Sequence, residues 1–205
     1  MEVAPEKIRI TKLHLLVHPG FMAGPDAEHE PGHPTQDEIS KSRALLDKYI
    51  AKAKGLGRDE IMVIFGYTGP DEFENHKREF AMYTDYIEKL QSLLGDRLIL
   101  IEGNIDPFEE EVAFEEVEFI ADERGYSIDT NTITEAFGET AQSCVLDCAQ
   151  NFNFTGKFRE ETIIDLDLTD LFNESVDSVF VRNLIEGNRD SVSRVVFRKN
   201  GEIIN

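Results

Sequence analysis

Apolar positions fall into short unbroken runs, and between them lie longer stretches with apolar residues at helical spacing. Lys12 to Val17 (KLHLLV) reads as a strand that ends abruptly at His18-Pro19-Gly20. A Pro- and Gly-rich loop follows. Thr35, with Glu38 three residues later, then forms a capping-box pattern that opens a helix through Ile39, Leu45, Leu46, Tyr49, Ile50 and Ala53, stopped by Gly55 and Gly57. Glu60 to Tyr67 (EIMVIFGY) is nearly all apolar, as in a strand covered on both faces. Pro70 opens a long helix that Gly95 ends, and Arg97 to Ile101 is a third buried strand. Asp106-Pro107 supplies an N-cap and a first-turn proline for a helix running to Gly125. A fourth strand lies within Ile128 to Phe137, with a helix from about Thr140 to Phe152 after it. Thr162 to Leu168 is a fifth strand, Ser175 to Ile185 a helix, and Ser193 to Phe197 a sixth strand that continues as an edge hairpin toward Ile203.

Strands alternating with helices specify an α/β protein with right-handed crossovers. The expected architecture is a three-layer αβα sandwich around a mainly parallel, doubly wound, six-stranded sheet. With 205 residues and no linker-like or repeated segment, residues 1–205 are expected to form one domain.

Charge narrows the partners. The formal net charge is -20, and no basic stripe interrupts it. Nucleic acids and anionic membranes are held mainly through Lys and Arg contacts to phosphate, so neither is an expected partner. No apolar run approaches the length of a membrane span, and Met1-Glu2-Val3-Ala4-Pro5 lacks a signal pattern. Two cysteines four apart, Cys144 and Cys148, make no disulfide framework, so a reducing cytoplasm is expected.

In open α/β sheets, ligands bind beyond the carboxyl ends of the strands where the strand order reverses. That rule makes His18, Tyr67-Thr68, Asn104 to Asp106, Gly138 to Cys144 and Asp167 to Asp170 the candidate positions, and among them His18, Tyr67, Asn104, Asp106, Gly138, Thr140, Ser143 and Cys144 are the expected small-molecule site. Cys144 falls in the first turn of the helix after the fourth strand. Free backbone N–H groups and the helix dipole there lower a thiol pKa and can hold an oxyanion. Cys148, one turn later, reads as core packing.

Glu123-Arg124-Gly125-Tyr126, a strand, and then Gly138-Glu139-Thr140-Ala141-Gln142-Ser143-Cys144-Val145, with Ala149 beyond, resemble the isochorismatase-like cysteine hydrolase family. That family has a Gly six residues before its nucleophilic Cys, a Val directly after it and an Ala five after it, and Gly138, Cys144, Val145 and Ala149 match. Its Thr three before the Cys is here Ala141, with Thr140 one position off. The order of elements is similar over nearly the whole chain. The resemblance implies a Cys-dependent hydrolase of a small amide or ester-like substrate that needs no cofactor, and a chain able to form homo-oligomers. The family also uses an Asp ending the first strand and a Lys after the third. This chain has His18 in the first place and no Lys in Glu102-Gly103-Asn104-Ile105-Asp106. His18 and Cys144 end neighbouring strands in such a sheet, and a Cys–His pair is a competent nucleophile and base. The alternative is an inactive relative that binds a small molecule or a protein.

Other motifs point elsewhere. His18, Glu28, His29, Glu30 and His33 sit on or beside the first loop, but Pro31 breaks the helical spacing that His29 and His33 would want as two ligands, so no metal is expected. Asp165-Leu166-Asp167-Leu168-Thr169 spells the DxDxT motif of haloacid-dehalogenase-type phosphatases, with too little chain after Thr169 for the rest of that fold. It reads instead as a strand with outward or terminal acids. Gly66-Tyr67-Thr68-Gly69 lacks the Lys-Ser/Thr of a phosphate loop. The Glu residues from 109 to 118 read as the solvated face of their helix.

Overall fold

The apolar runs become the strands of one large sheet. The computed structural model describes residues 6–17, 19, 36–67, 81–102, 110–138, 145–146, 148–150, 161–171, 179–188 and 194–204. In chain order the elements are β1 (Ile8–Arg9), β2 (Lys12–Val17), α1 (Gln36–Gly55), β3 (Glu60–Tyr67), α2 (Ala81–Leu94), β4 (Leu98–Glu102), α3 (Glu110–Glu123), β5 (Tyr126–Ser127), β6 (Ile133–Gly138), β7 (Glu161–Asp165), α4 (Val179–Asn188), β8 (Arg194–Lys199) and β9 (Glu202–Ile204). Residues 145–146 and 148–150 are also helical.

The sheet order is β4-β3-β2-β6-β7-β8-β9, parallel throughout except for the last pair. From β2 the chain builds outward through β3 to β4, then returns to the middle and builds the other way from β6. The order therefore reverses between β2 and β6, the arrangement that leaves a crevice at the strand ends of doubly wound sheets. The mainly parallel α/β architecture read from the sequence is the one observed.

Alternation along the strands sorts side chains into two cores. Leu13, Leu15, Val17, Ile61, Val63, Phe65 and Ala136 point to one face, against Val117 and Ala121 of α3, Val145, Leu146, Cys148 and Ala149, and Val181 and Leu184 of α4. Leu16, Met62, Ile64 and Phe137 point to the other, against Leu45, Leu46, Tyr49 and Ala53 of α1 and Ile87, Leu90 and Leu94 of α2. Burying one such side chain contributes roughly 1.5–3 kcal/mol, so these two layers carry most of the stability. On α3, Val117 is buried while Glu115 is exposed, as expected of a solvated acidic face. Among the described residues, no helix is long and apolar enough to cross a membrane.

The sheet departs from the sequence expectation in three places. It has seven strands where six were expected, because the hairpin at its edge is a strand in its own right. Asn200 and Gly201 take φ of 49° and 80°, the two left-handed residues of a type I′ turn, and this turn folds β9 back on β8. The run expected as a strand to Leu168 stops at Asp165, whose carboxylate accepts the Asp167 N–H at 3.1 Å and turns the chain into a 3-10 helix over Leu166–Leu168. β1 and β5 form a separate parallel pair, each too short to show a period in sequence.

Candidate functional site

At the point of reversal, Val17 and Gly138 are register partners at the carboxyl ends of β2 and β6. Gly138 has a φ of 149°, and a Cβ there would lie 2.0 Å from the Val17 carbonyl oxygen. Only glycine lets the two backbones close on each other at this spot. The Gly138 carbonyl accepts the Asp170 N–H at 2.9 Å, which ties the end of β6 to the segment leaving β7. The expected adjacency of the first and fourth sequence strands is thus present as the β2–β6 pair. Of the expected site residues, Gly138 lies at this junction and Tyr67 ends β3. His18, Asn104, Asp106, Thr140, Ser143 and Cys144 lie outside the described residues, as does the His- and Glu-bearing first loop. Cys148 is fully buried with Val145 and Ala149, as expected of core packing.

A second polar feature lies beneath α1, and it was not foreseen. On the sheet face where α1 packs, the register brings together His14, Glu135, Asp165 and Arg198, on β2, β6, β7 and β8, with Lys12 and Glu60 at the strand starts beside His14. His14 and Glu135 are register partners. Glu135 is 0% exposed and His14 is 2% exposed. His14 Nδ1 lies 2.9 Å from Glu135 Oε2, and Lys52 Nζ, reaching down from α1, lies 3.0 Å from the same oxygen. Arg198 closes on Glu135 Oε1 and lies 2.6 Å from Asp165 Oδ2. Lys52 Nζ also lies 3.9 Å from Asp165 and sits over the Phe137 ring, 5.2 Å from its centroid. Glu60, at the start of β3, approaches His14 Nε2 at 3.4 Å. The Glu135 oxygens and His14 Nδ1 are surrounded by charge at short range rather than by well-aligned hydrogen bonds.

The network balances. Lys12, Lys52 and Arg198 supply three positive charges, Glu60, Glu135 and Asp165 three negative ones, so an imidazolium at His14 would be surplus. Burial is the main force lowering the His14 pKa, to about 3, with Lys52 adding to it and Glu60 partly opposing it. Burial likewise lowers Lys52 to about 8 against the pull of Asp165, and raises Asp165 against that of Lys52. Burial also lowers Arg198. Asp165 was expected as an outward or terminal acid; it is terminal, but it turns inward and is buried, because Arg198 and Lys52 meet it there.

Lys52 sits over the ring of Phe137, the residue before Gly138, with its ammonium engaged by Glu135 under α1. Among the described residues, no group of three or more His, Cys, Asp or Glu is arranged to hold a metal ion. No protein-family model, curated protein or solved structure matches the chain.

Proposed function

We propose that the chain is a divergent isochorismatase-like protein with a small-molecule site at the carboxyl ends of β2 and β6, where Cys144 is the nucleophile toward a small amide or ester-like substrate. The observation that supports this reading is the reversal of strand order at Val17 and Gly138, with Cys144 six residues beyond Gly138 in the sequence. In this reading His18, directly after β2, takes the proton of the Cys144 thiol. The thiolate adds to the substrate carbonyl, the amine or alcohol leaves with that proton, and water then hydrolyses the thioester. Tyr67, Asn104, Asp106, Thr140 and Ser143 line the pocket that selects the substrate. A reducing cytoplasm keeps both cysteines as thiols, and homo-oligomers of the chain are part of the same proposal.

The second reading is an inactive relative that binds a small molecule or a protein. It is favoured by His18 standing where the family has Asp, and by the lack of a Lys between Glu102 and Asp106.

A small activated ester separates the two. With p-nitrophenyl acetate, the hydrolase reading expects a burst of nitrophenolate and an acetyl group on the Cys144 peptide, lost in Cys144→Ser and slowed at least tenfold in His18→Ala. Acetylation spread over surface lysines, with no burst and no label at Cys144, supports the binding protein instead.

A further inference from the structure

The charge network beneath α1 goes beyond the proposed site and stands whether or not Cys144 reacts. Its geometry concentrates on one carboxylate oxygen. Glu135 Oε2 is 2.9 Å from His14 Nδ1 and 3.0 Å from Lys52 Nζ, while Arg198 occupies Oε1. With a neutral ring at His14, one carboxylate faces two cations and Asp165 shares the load. With an imidazolium, three cations would converge on Glu135, two of them on the same oxygen. The other charged groups facing His14 do not resolve the excess. Lys12 on β2 and Lys52 on α1 repel a positive ring, and Glu60 on β3, 3.4 Å away, attracts it from a more exposed position.

One member of the network must give way, and the structure indicates which. His14, Glu135, Asp165 and Arg198 sit on adjacent strands held by continuous parallel pairing. Among the described residues of the network, Lys52 alone is carried by a helix. α1 has further attachments, through Leu45, Leu46, Tyr49 and Ala53 and through Lys48, which donates to the Asp167 carbonyl at 2.9 Å. None of these crosses to the other face of the sheet. We propose that the network is a proton-sensitive clasp on α1: a neutral His14 completes it, and an imidazolium there drives Lys52, and α1 with it, off the sheet while α3 and its layer stay packed.

Linkage gives the sign and size. A ring that titrates near 6.5 when α1 is released and near 3 when it is clasped favours release at every pH below 6.5. Well inside that range each pH unit multiplies the opening equilibrium by about ten; between pH 7 and 5 the factor is about 25. Protonation of Asp165, whose pKa is raised when clasped, acts in the opposite sense.

The test is residue-resolved amide hydrogen exchange between pH 7 and 5 on the full chain, corrected for intrinsic rates. The opening constants of Leu45, Leu46 and Tyr49 should rise about 25-fold relative to those of Val117 and Ala121, and His14→Gln should flatten the difference. Equal pH dependence in α1 and α3 overturns the clasp, since the whole fold would then be loosening together. If His14→Gln does not fold, the wild-type ring decides. A His14 imidazole that stays neutral in the folded protein down to pH 5 supports the clasp, and one that titrates near 6.5 overturns it.

Discussion

His14 and Glu135 are register partners on adjacent parallel strands, with Nδ1 of one 2.9 Å from Oε2 of the other, in a layer where most neighbouring side chains are apolar. A buried carboxylate persists in such a place only with counter-charges, and here they come from β8 and α1. Assembled, a network of this kind contributes little net stability over an apolar core, because desolvation offsets the attraction. Breaking it is costly, because the remaining charges stay buried.

The first expectation follows from that asymmetry. Glu135→Gln keeps the shape and leaves Lys52 and Arg198 facing each other without their shared counter-ion. Urea unfolding should show a loss of about 3–5 kcal/mol. Glu115→Gln, on the exposed face of α3, should change stability by less than about 0.5 kcal/mol. Equal effects at the two sites would mean that the network carries no such energy.

A second expectation concerns alkaline pH. The Lys52 pKa is lowered from 10.5 to about 8, so between those values the folded state binds fewer protons than the unfolded chain. Stability from this group therefore rises with pH across that window, by at most about 1.4 kcal/mol per unit. Growing repulsion among the many carboxylates works against it across the whole protein. The quantity to measure is thus the difference between wild type and Lys52→Met. That difference should shift in favour of wild type from pH 8 to 10, and a flat difference would refute the assignment.

A third expectation is backbone-based. Gly138→Ala places a methyl group 2.0 Å from the Val17 carbonyl oxygen at a φ of 149°, so β2 and β6 must separate at their ends. The loss should be about 3 kcal/mol or more, read from the urea midpoint. Gly55→Ala, at the end of α1 with nothing within 4 Å of the new Cβ, should be neutral or stabilise by up to about 1 kcal/mol. A neutral Gly138→Ala would show that the junction is not closed by this glycine.

Much of the frame was legible in the chain. The runs at 12–17 and 60–67 are apolar enough that strands covered on both faces are the natural solution, and their bounds in the structure agree. The hairpin at 199–202 follows from Asn200-Gly201, a pair suited to two consecutive left-handed residues. The charge network was not legible, for a physical reason. His14, Glu135, Asp165 and Arg198 are each a single polar residue within or ending an apolar run, and each alone reads as an outward or terminal group. Only the β2–β6–β7–β8 pairing places them on one face, and only the packing of α1 brings Lys52 over them. The available signal was parity for two of them, because His14 alternates with Leu16 on β2 and Glu135 with Phe137 on β6.

The central functional claim is that Cys144 is an activated thiol, and its alkylation by iodoacetamide as a function of pH tests this most directly. Peptide mass spectrometry would follow Cys144 and use the buried Cys148 as internal reference. Cys144 should be modified fast, with a midpoint well below the ordinary thiol value of about 8.5 that is displaced in His18→Ala, while Cys148 stays unmodified. A Cys144 that reacts no faster than Cys148, or that titrates at or above the ordinary value in both proteins, would contradict it.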